Sequence, residues 1–395
     1  MIDANNGLPI GEQDAWLRGE KKIAIFRALH LGDLLCVVPA LRALRTAAPQ
    51  AHITLIGLPE AAMFVKRFHR YVDAHIEFPG FPAFSEREPH LDALPEFLAR
   101  VQAENFDVAI QMHGSGGLSN PLVAAFGARS SAGHYVPGQW RPDAVRFVPW
   151  RGDEHEILRY FDLMEFLGIE TMGDTLEFPL ADDDFQRLRA EAPELSTLST
   201  ESKETGLVCI HPGEQLSSRR WLPQHFAAVA DGLHAAGHQI AVTGTESERD
   251  ITEAVLRSMQ APAIDLTGRT DLGMLAALIA QAQLVVCNHS GVSHVATAVA
   301  TPTVIVSLDA SPDRWAPLNR IRHRLVCEDA PCGPCMNGVC QIDRTRASMI
   351  SADMVLMAAY SVLSNNPQRF GSDVDEHPAR RRRHARRNGR TQAQA

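Results

Sequence analysis

The chain has 395 residues, 45% hydrophobic and 22% charged, enough apolar material for two domains with separate cores. Its net charge is −9, but residues 380–395 hold seven Arg and no acid, which leaves −16 on the rest; an acidic body argues against nucleic acid as the main partner. No apolar run reaches the roughly 18–20 residues that cross a bilayer, and MIDANNGLPIGEQDAWLRGEKK lacks a charged-then-apolar signal pattern, so a cytoplasmic protein is expected.

Residues 1–21 read as an arm with a short helical piece around Trp16. KIAIFRALHLGDLLCVVPALRALR, 22–45, then reads as strand, polar turn and helix. Ile23, Ile25 and Phe26 make the strand, Arg27 to Asp33 the turn, with Gly32 at a tight bend. Leu34, Val37, Val38, Leu41 and Leu44 recur at helical spacing, with Pro39 expected near the helix start. Asp33 therefore stands where ligands bind in open α/β sheets; it reads equally well as the N-cap of its own helix. Strands follow at 52–58, 75–78 and 107–114, and helices at 60–70, 91–103, 120–127 and 155–169. Residues 79–90 read as a loop and 128–152 as irregular. His113 and Gly114 end the third of these strands.

Residues 179–205 are polar, with one helix, and read as a linker between a first domain at 22–178 and a second at 206–345. The second series alternates strands at 206–213, 238–244, 263–268, 283–291 and 303–308 with helices at 223–236, 246–259, 272–282 and 292–299. A last helix is expected within 346–364, before an Arg-rich disordered tail at 365–395. The alternation predicts an α/β protein with two doubly wound, mostly parallel sheets and a cleft between them.

Three polar stretches fall at carboxyl ends of the second series. HPGEQLSSRRW, 211–221, offers Ser217, Ser218, Arg219 and Arg220 before a helix, a combination suited to phosphate, though it also fits an ordinary capped loop with exposed Arg. Glu246 is placed either to accept from ribose hydroxyls or to cap its helix. In NHSGVSHVA, Ser290 and Gly291 open a helix, with His294 one turn in.

Four motifs together resemble glycosyltransferase family 9, the ADP-heptose:lipopolysaccharide heptosyltransferases: FRALHLGDLLCVVPALRALR, HPGEQLSSRRWLPQHF, LTGRTDLGMLAALIAQAQLVVCNHSGVSHVATAVATPTV and SPDRWAPL. The resemblance covers about 22–345. It implies a GT-B fold of two Rossmann-like domains facing a central cleft, with the last helix packing back on the first domain. It implies a nucleoside-diphosphate sugar donor such as ADP-heptose on the second domain, and a glycan or glycolipid acceptor, of lipopolysaccharide type, on the first. Asp33 matches the family's Gly-Asp motif as general base for transfer with inversion, without a metal. Ser217, Ser218, Arg219, Glu246, Ser290, Gly291 and His294 are the implied donor residues, and His30, Gly32 and His113 the acceptor-side candidates.

Three positions depart from the family pattern. His289 stands where an acid is usual, Arg219 where Lys is usual, and His30 where Ser is common. They argue against assuming ADP-heptose or a lipid A-core acceptor, and His289 keeps open a member that only binds nucleotide or glycan, or one using a donor other than heptose. A GT-B epimerase or phosphorylase is a further reading; the latter needs a Lys for pyridoxal, and none is identified. Cys327, Cys332, Cys335 and Cys340 form C-x4-C-x2-C-x4-C, which reads as a structural zinc site or as free thiols. RRRRHARR, 380–387, reads as a peripheral contact with anionic membrane at the inner leaflet or as a solvated tail.

Overall fold

A computed structural model describes residues 19–82, 84–197, 206–308, 312–327 and 347–364. The arm around Trp16, the Arg-rich tail, and Cys332, Cys335 and Cys340 lie outside them. The chain divides into two compact units between Pro179 and Leu180.

The first unit has β1 (Lys22–Phe26), α1 (Leu31–Ala47), β2 (His52–Gly57), α2 (Ala61–Arg67), β3 (Ala74–Glu77), α3 (Leu94–Ala103), β4 (Val108–Gln111), α4 (Ser119–Ala124), β5 (Ser130–Tyr135), β6 (Phe147–Pro149) and α5 (Glu156–Phe166). Its strands are all parallel, in the order β3-β2-β1-β4-β5-β6. This is the Rossmann order, whose switch point falls between β1 and β4. One face of the sheet buries Phe26, Phe78, Phe97, Phe106 and Phe126 in a single core.

The second unit has α6 (Asp182–Glu191), β7 (Leu207–His211), α7 (Pro223–Ala235), β8 (Gln239–Val242), α8 (Arg249–Ser258), β9 (Ile264–Asp265), α9 (Leu272–Gln281), β10 (Leu284–Asn288), α10 (Gly291–Ala298), β11 (Thr303–Ser307), β12 (His323–Cys327) and α11 (Ala352–Ser364). Its order, β12-β11-β10-β7-β8-β9, is the same topology, with the switch point between β7 and β10. The helix within the expected linker, α6, is held to this unit by Arg187 pairing with Asp271 and by Arg269 pairing with Glu191 at 3.3 Å.

Several local expectations are corrected. The polar turn is shorter than its sequence suggested: α1 already starts at Leu31, with His30 as N-cap. Asp33 is therefore not the cap, Gly32 is a buried first-turn residue rather than a bend, and Pro39 sits inside the helix. Residues 128–152 are not irregular but contain β5 and β6. Ser217–Arg219 form a 3-10 turn, so the basic loop does not run directly into α7. β12 was not foreseen. The last helix belongs to the second unit's core: Val355, Ala359 and Val362 pack there, and the Tyr360 hydroxyl donates to the Gly232 carbonyl at 3.2 Å. A β-carbon on Gly232 would stand 2.7 Å from Leu356 Cδ2, so α7 offers α11 a notch. Among the described residues no helix is long and apolar enough to cross a membrane.

Candidate active site

At the first switch point the chain buries a guanidinium. Arg27, the residue after β1, is fully buried. Its Nε and Nη2 donate to the Asp33 carbonyl at 3.0 and 2.8 Å. Its Nη1 donates to the Met112 carbonyl and the Tyr160 hydroxyl, both at 2.6 Å, and Nη2 stands 3.4 Å from Glu156 Oε1. The Tyr160 hydroxyl donates onward to the Met112 carbonyl at 2.8 Å. A buried Arg is tolerable only when its donors are met. Meeting them here ties the ends of β1 and β4, the first turn of α1 and the start of α5 into one piece. Arg159, with Nε 3.3 Å from Glu156 Oε2 and its guanidinium 3.5 Å over the Trp150 ring, completes the network.

Asp33 thus has its main chain gripped while its partly buried carboxyl stands in the first turn of α1. Burial pushes its pKa up; Arg27 pulls it down, and Glu156 and Glu86 add to the rise. A carboxylate that is harder to ionise is a stronger base once ionised. His113 is nearly buried, and its Nδ1 accepts from the Ala28 amide at 3.2 Å. Burial lowers its pKa to about 4, with the Arg27 charge adding to the effect, so the ring is neutral near pH 7. His30 faces outward, with Nδ1 3.0 Å from Glu60 Oε1. Asp33, His30, Gly32 and His113 are therefore gathered at one strand edge.

The second switch point is held by an amide. Asn288, fully buried at the end of β10, donates through Nδ2 to the Pro212 carbonyl at 2.8 Å, and its Oδ1 accepts from the Trp221 amide at 3.0 Å. It thereby clamps both ends of loop 212–221. Inside that loop, Ser218 is buried and Ser217 exposed, and Arg220 Nε donates to the Glu214 carbonyl at 2.6 Å. Ser290 is the N-cap of α10, yet its side chain caps nothing; its hydroxyl is buried with no hydrogen-bond partner among the described residues. Gly291 begins the helix, and its free N–H groups and dipole suit an anion. His294 is buried in α10, its ring centroid 6.5 Å from that of His289, whose Nδ1 is 3.1 Å from Ser307 Oγ. Glu246, after β8, is exposed and paired with Arg249 at 2.7 and 2.6 Å; that pairing holds its carboxyl below the usual range. The cap of this turn is Thr245 with Glu248, so Glu246 has no capping duty. Next to it, His211 Nδ1 lies 3.0 Å from Thr243 Oγ1, and burial keeps the ring neutral.

The expected donor residues thus cluster on the loops that follow β7, β8 and β10. Sequence reasoning missed Arg27, Glu156, Tyr160 and Asn288 as site builders. The usable signal for Arg27 was a lone cation directly after an apolar strand; Glu156 and Tyr160 left none, being ordinary members of an amphipathic helix. Cys327, at the end of β12, is exposed, and among the described residues no group of three His, Cys, Asp or Glu side chains is arranged to hold a metal.

The sequence profile of "Glycosyltransferase family 9 (heptosyltransferase)" matches residues 96–345. The chain is 25% identical over 296 residues to lipopolysaccharide heptosyltransferase 3 of Escherichia coli (strain K12), spanning 72% of this chain and 82% of that protein. The crystal structure of a family 9 glycosyltransferase from Veillonella parvula DSM 2008 superposes with a TM-score of 0.69 at 21% identity, covering 88% of this chain and 98% of that one. That of E. coli ADP-heptose LPS heptosyltransferase II gives 0.64 at 20% identity, covering 87% and 98%. With two Rossmann-ordered units of the GT-B kind and a profile match over more than half its length, the chain belongs to glycosyltransferase family 9.

Proposed function

We propose that this family 9 glycosyltransferase moves a heptose, or a closely related sugar, from a nucleoside-diphosphate sugar to a hydroxyl of a lipopolysaccharide-type acceptor, with Asp33 as general base. The observation that carries the reading is the placing of Asp33: a carboxylate of raised pKa on a main chain fixed by Arg27, at the carboxyl edge of a Rossmann sheet. The acceptor O–H gives its proton to the Asp33 carboxylate as its oxygen bonds to the anomeric carbon. The bond from that carbon to the diphosphate oxygen breaks on the opposite face, so configuration inverts. Negative charge gathers on the leaving diphosphate, where Arg219, the Ser290 hydroxyl and the α10 N-terminus from Gly291 supply donors and positive potential. Ser217, Ser218 and His294 line the same loops, and Glu246 faces the nucleotide's ribose hydroxyls. His30 and His113 border the acceptor.

Asp33→Asn keeps the shape and removes the base. Transfer should fall about 100-fold or more, the scale of lost general-base catalysis, while thermal-shift binding of ADP and ADP-heptose is unchanged. Near-normal transfer removes Asp33 from the role. His289, in place of the usual acid, favours one alternative, a donor sugar other than heptose. Stabilisation by a sugar nucleotide of another class, with none by ADP-heptose, selects it.

A further inference from the structure

Residues 79–82 and 84–90, beyond β3, belong to a loop pinned at its neck. Gly80 sits at φ +89°, and a β-carbon there would stand 2.9 Å from Pro89 Cα. The His90 amide donates to the Pro79 carbonyl at 3.0 Å. Arg87 Nη1 donates to Glu77 Oε1 and to the Phe78 carbonyl, both at 2.8 Å. Such a neck lets a loop act as a compact body packed by its own side chains. Aromatic contacts give it a direction: ring centroids are 5.8 Å apart for Phe81 and Phe84, 6.1 Å for Phe84 and Phe78, and 4.6 Å for Phe84 and His113. His113 in turn is bonded to Ala28, just ahead of Asp33. A loop that starts at the outermost strand therefore crosses to the β1/β4 switch point.

Glu86 is carried in this roof. Its Oε2 is buried and meets no hydrogen-bond donor among the described residues, and its charge adds, as the smallest of several causes, to the rise in the Asp33 pKa. The adjacent cation, Arg87, is paired with Glu77. A buried carboxylate oxygen without a donor is costly. Such a cost is tolerated where a ligand brings the missing donors.

We propose that Glu86 is a specificity-determining residue for the acceptor: its carboxylate accepts hydrogen bonds from neighbouring hydroxyls of the acceptor sugar, and its charge turns away rings that carry phosphate or carboxylate there. The two oxygens of a carboxylate match a pair of adjacent hydroxyls, and like charge at close range in a poorly hydrated site is repulsive. The assignment rests on Asp33 being the base of the same pocket, and it names the acceptor class as neutral and hydroxyl-rich at that point.

The test uses the full chain, ADP-heptose as donor, and two acceptors: methyl heptopyranoside and its monophosphate. Glu86→Gln should raise KM for the neutral acceptor about 10-fold with kcat nearly unchanged, as loss of charge-assisted hydrogen bonds does. Glu86→Lys should shift the phosphorylated-to-neutral ratio of kcat/KM by about 100-fold toward the phosphorylated acceptor. Calorimetric titration of both acceptors in the presence of ADP should give the same ordering without turnover. The melting temperature of unliganded Glu86→Gln should be equal to or above that of the parent chain. An unchanged acceptor ratio in both variants, a parent chain that prefers or alone binds the phosphorylated acceptor, or a clear drop in melting temperature with no change in KM overturns the proposal. Asp33→Asn, run alongside, should lose turnover with both acceptors and keep their relative affinities. If it turns over normally, the base assignment fails, while the Glu86 affinity ordering is judged by itself.

Discussion

Arg27 shows how much of the proposed catalytic pocket rests on one fully buried side chain. Its donors reach Asp33, Met112, Tyr160 and Glu156, all inside the first unit. The charges around Asp33 act in opposite directions: Arg27 favours its ionised form and Glu156 disfavours it. Glu156→Gln should therefore move the acid limb of the kcat/KM profile to lower pH. It should also cost stability, since breaking a buried ion pair costs about 3–5 kcal/mol. An acid limb that stays in place while stability drops would make Glu156 a purely structural residue. Asp33 was legible in the sequence because a Gly-Asp pair after an apolar strand is a local pattern. Glu156 was not, because its contact with Arg27 joins residues 129 apart in the chain, and no local spacing encodes that.

Strands with continuous apolar runs were readable at a glance; β5 and β12 were not. SSAGHY has no such run, and its strand state comes from its neighbours: it pairs with β4 and β6. Gln111 closes over it, with Oε1 accepting from the His134 amide at 3.2 Å, and a β-carbon on Gly133 would stand 2.8 Å from Gln111 Cβ. Tertiary pairing thus overrides weak local preference. β12 is mixed in the same way: His323 and Val326 are buried, Arg324 and Cys327 exposed, with no period-2 alternation for a reader of the sequence to find. The last helix was legible as a helix, while its partner was not, because a Gly notch in α7 has no apolar signature. Val355, Ala359 and Val362 lie on one face of it, buried in the second unit. Val355→Asp places an unpaired charge in that core and should unfold the second unit at ordinary temperature, seen as loss of nucleotide-induced thermal shift. Ending the chain at residue 364 should leave both melting and nucleotide binding intact and remove any flotation with anionic liposomes. Retained flotation would assign membrane contact to another surface.

For the molecule as a whole, buried neutral histidines tie stability to pH. Burial lowers His113 to about 4, and His134 and His323 to about 3. In the unfolded chain each takes up a proton as pH falls through about 6.5; in the fold none does until far lower. Folding then releases protons, so stability is full above about 6.5 and is lost toward pH 3–4, at up to roughly 1.4 kcal/mol per pH unit for each ring. Glu154 works against this, because burial beside Asp162 raises it to about 8 and the fold holds its proton first. The His group outnumbers it, so melting temperature should fall between pH 7 and pH 5. His134, boxed by the Trp150 and Tyr160 rings at 5.6 and 5.8 Å, is the cleanest to change. His134→Phe should raise the melting temperature more at pH 5 than at pH 8; an equal gain at both would point to packing alone. The repeated Rossmann order was legible from the alternation of strands and helices, and it sets the two strand edges at which the candidate residues lie. The residues that stiffen those edges come from distant helices and loops and appear only when the fold is assembled.

The seating of α11 has a consequence for how the chain is made. The first unit is complete when Pro179 has been synthesised, and it can fold while the rest is still on the ribosome. The second unit has no such freedom, because a wall of its core comes only from residues 352–364. Until then Trp221, whose Nε1 donates to the Ile350 carbonyl at 2.9 Å, and the groove on α7 stand open. The nascent protein therefore passes through a stage with the first unit already built and a second unit whose core still lacks α11.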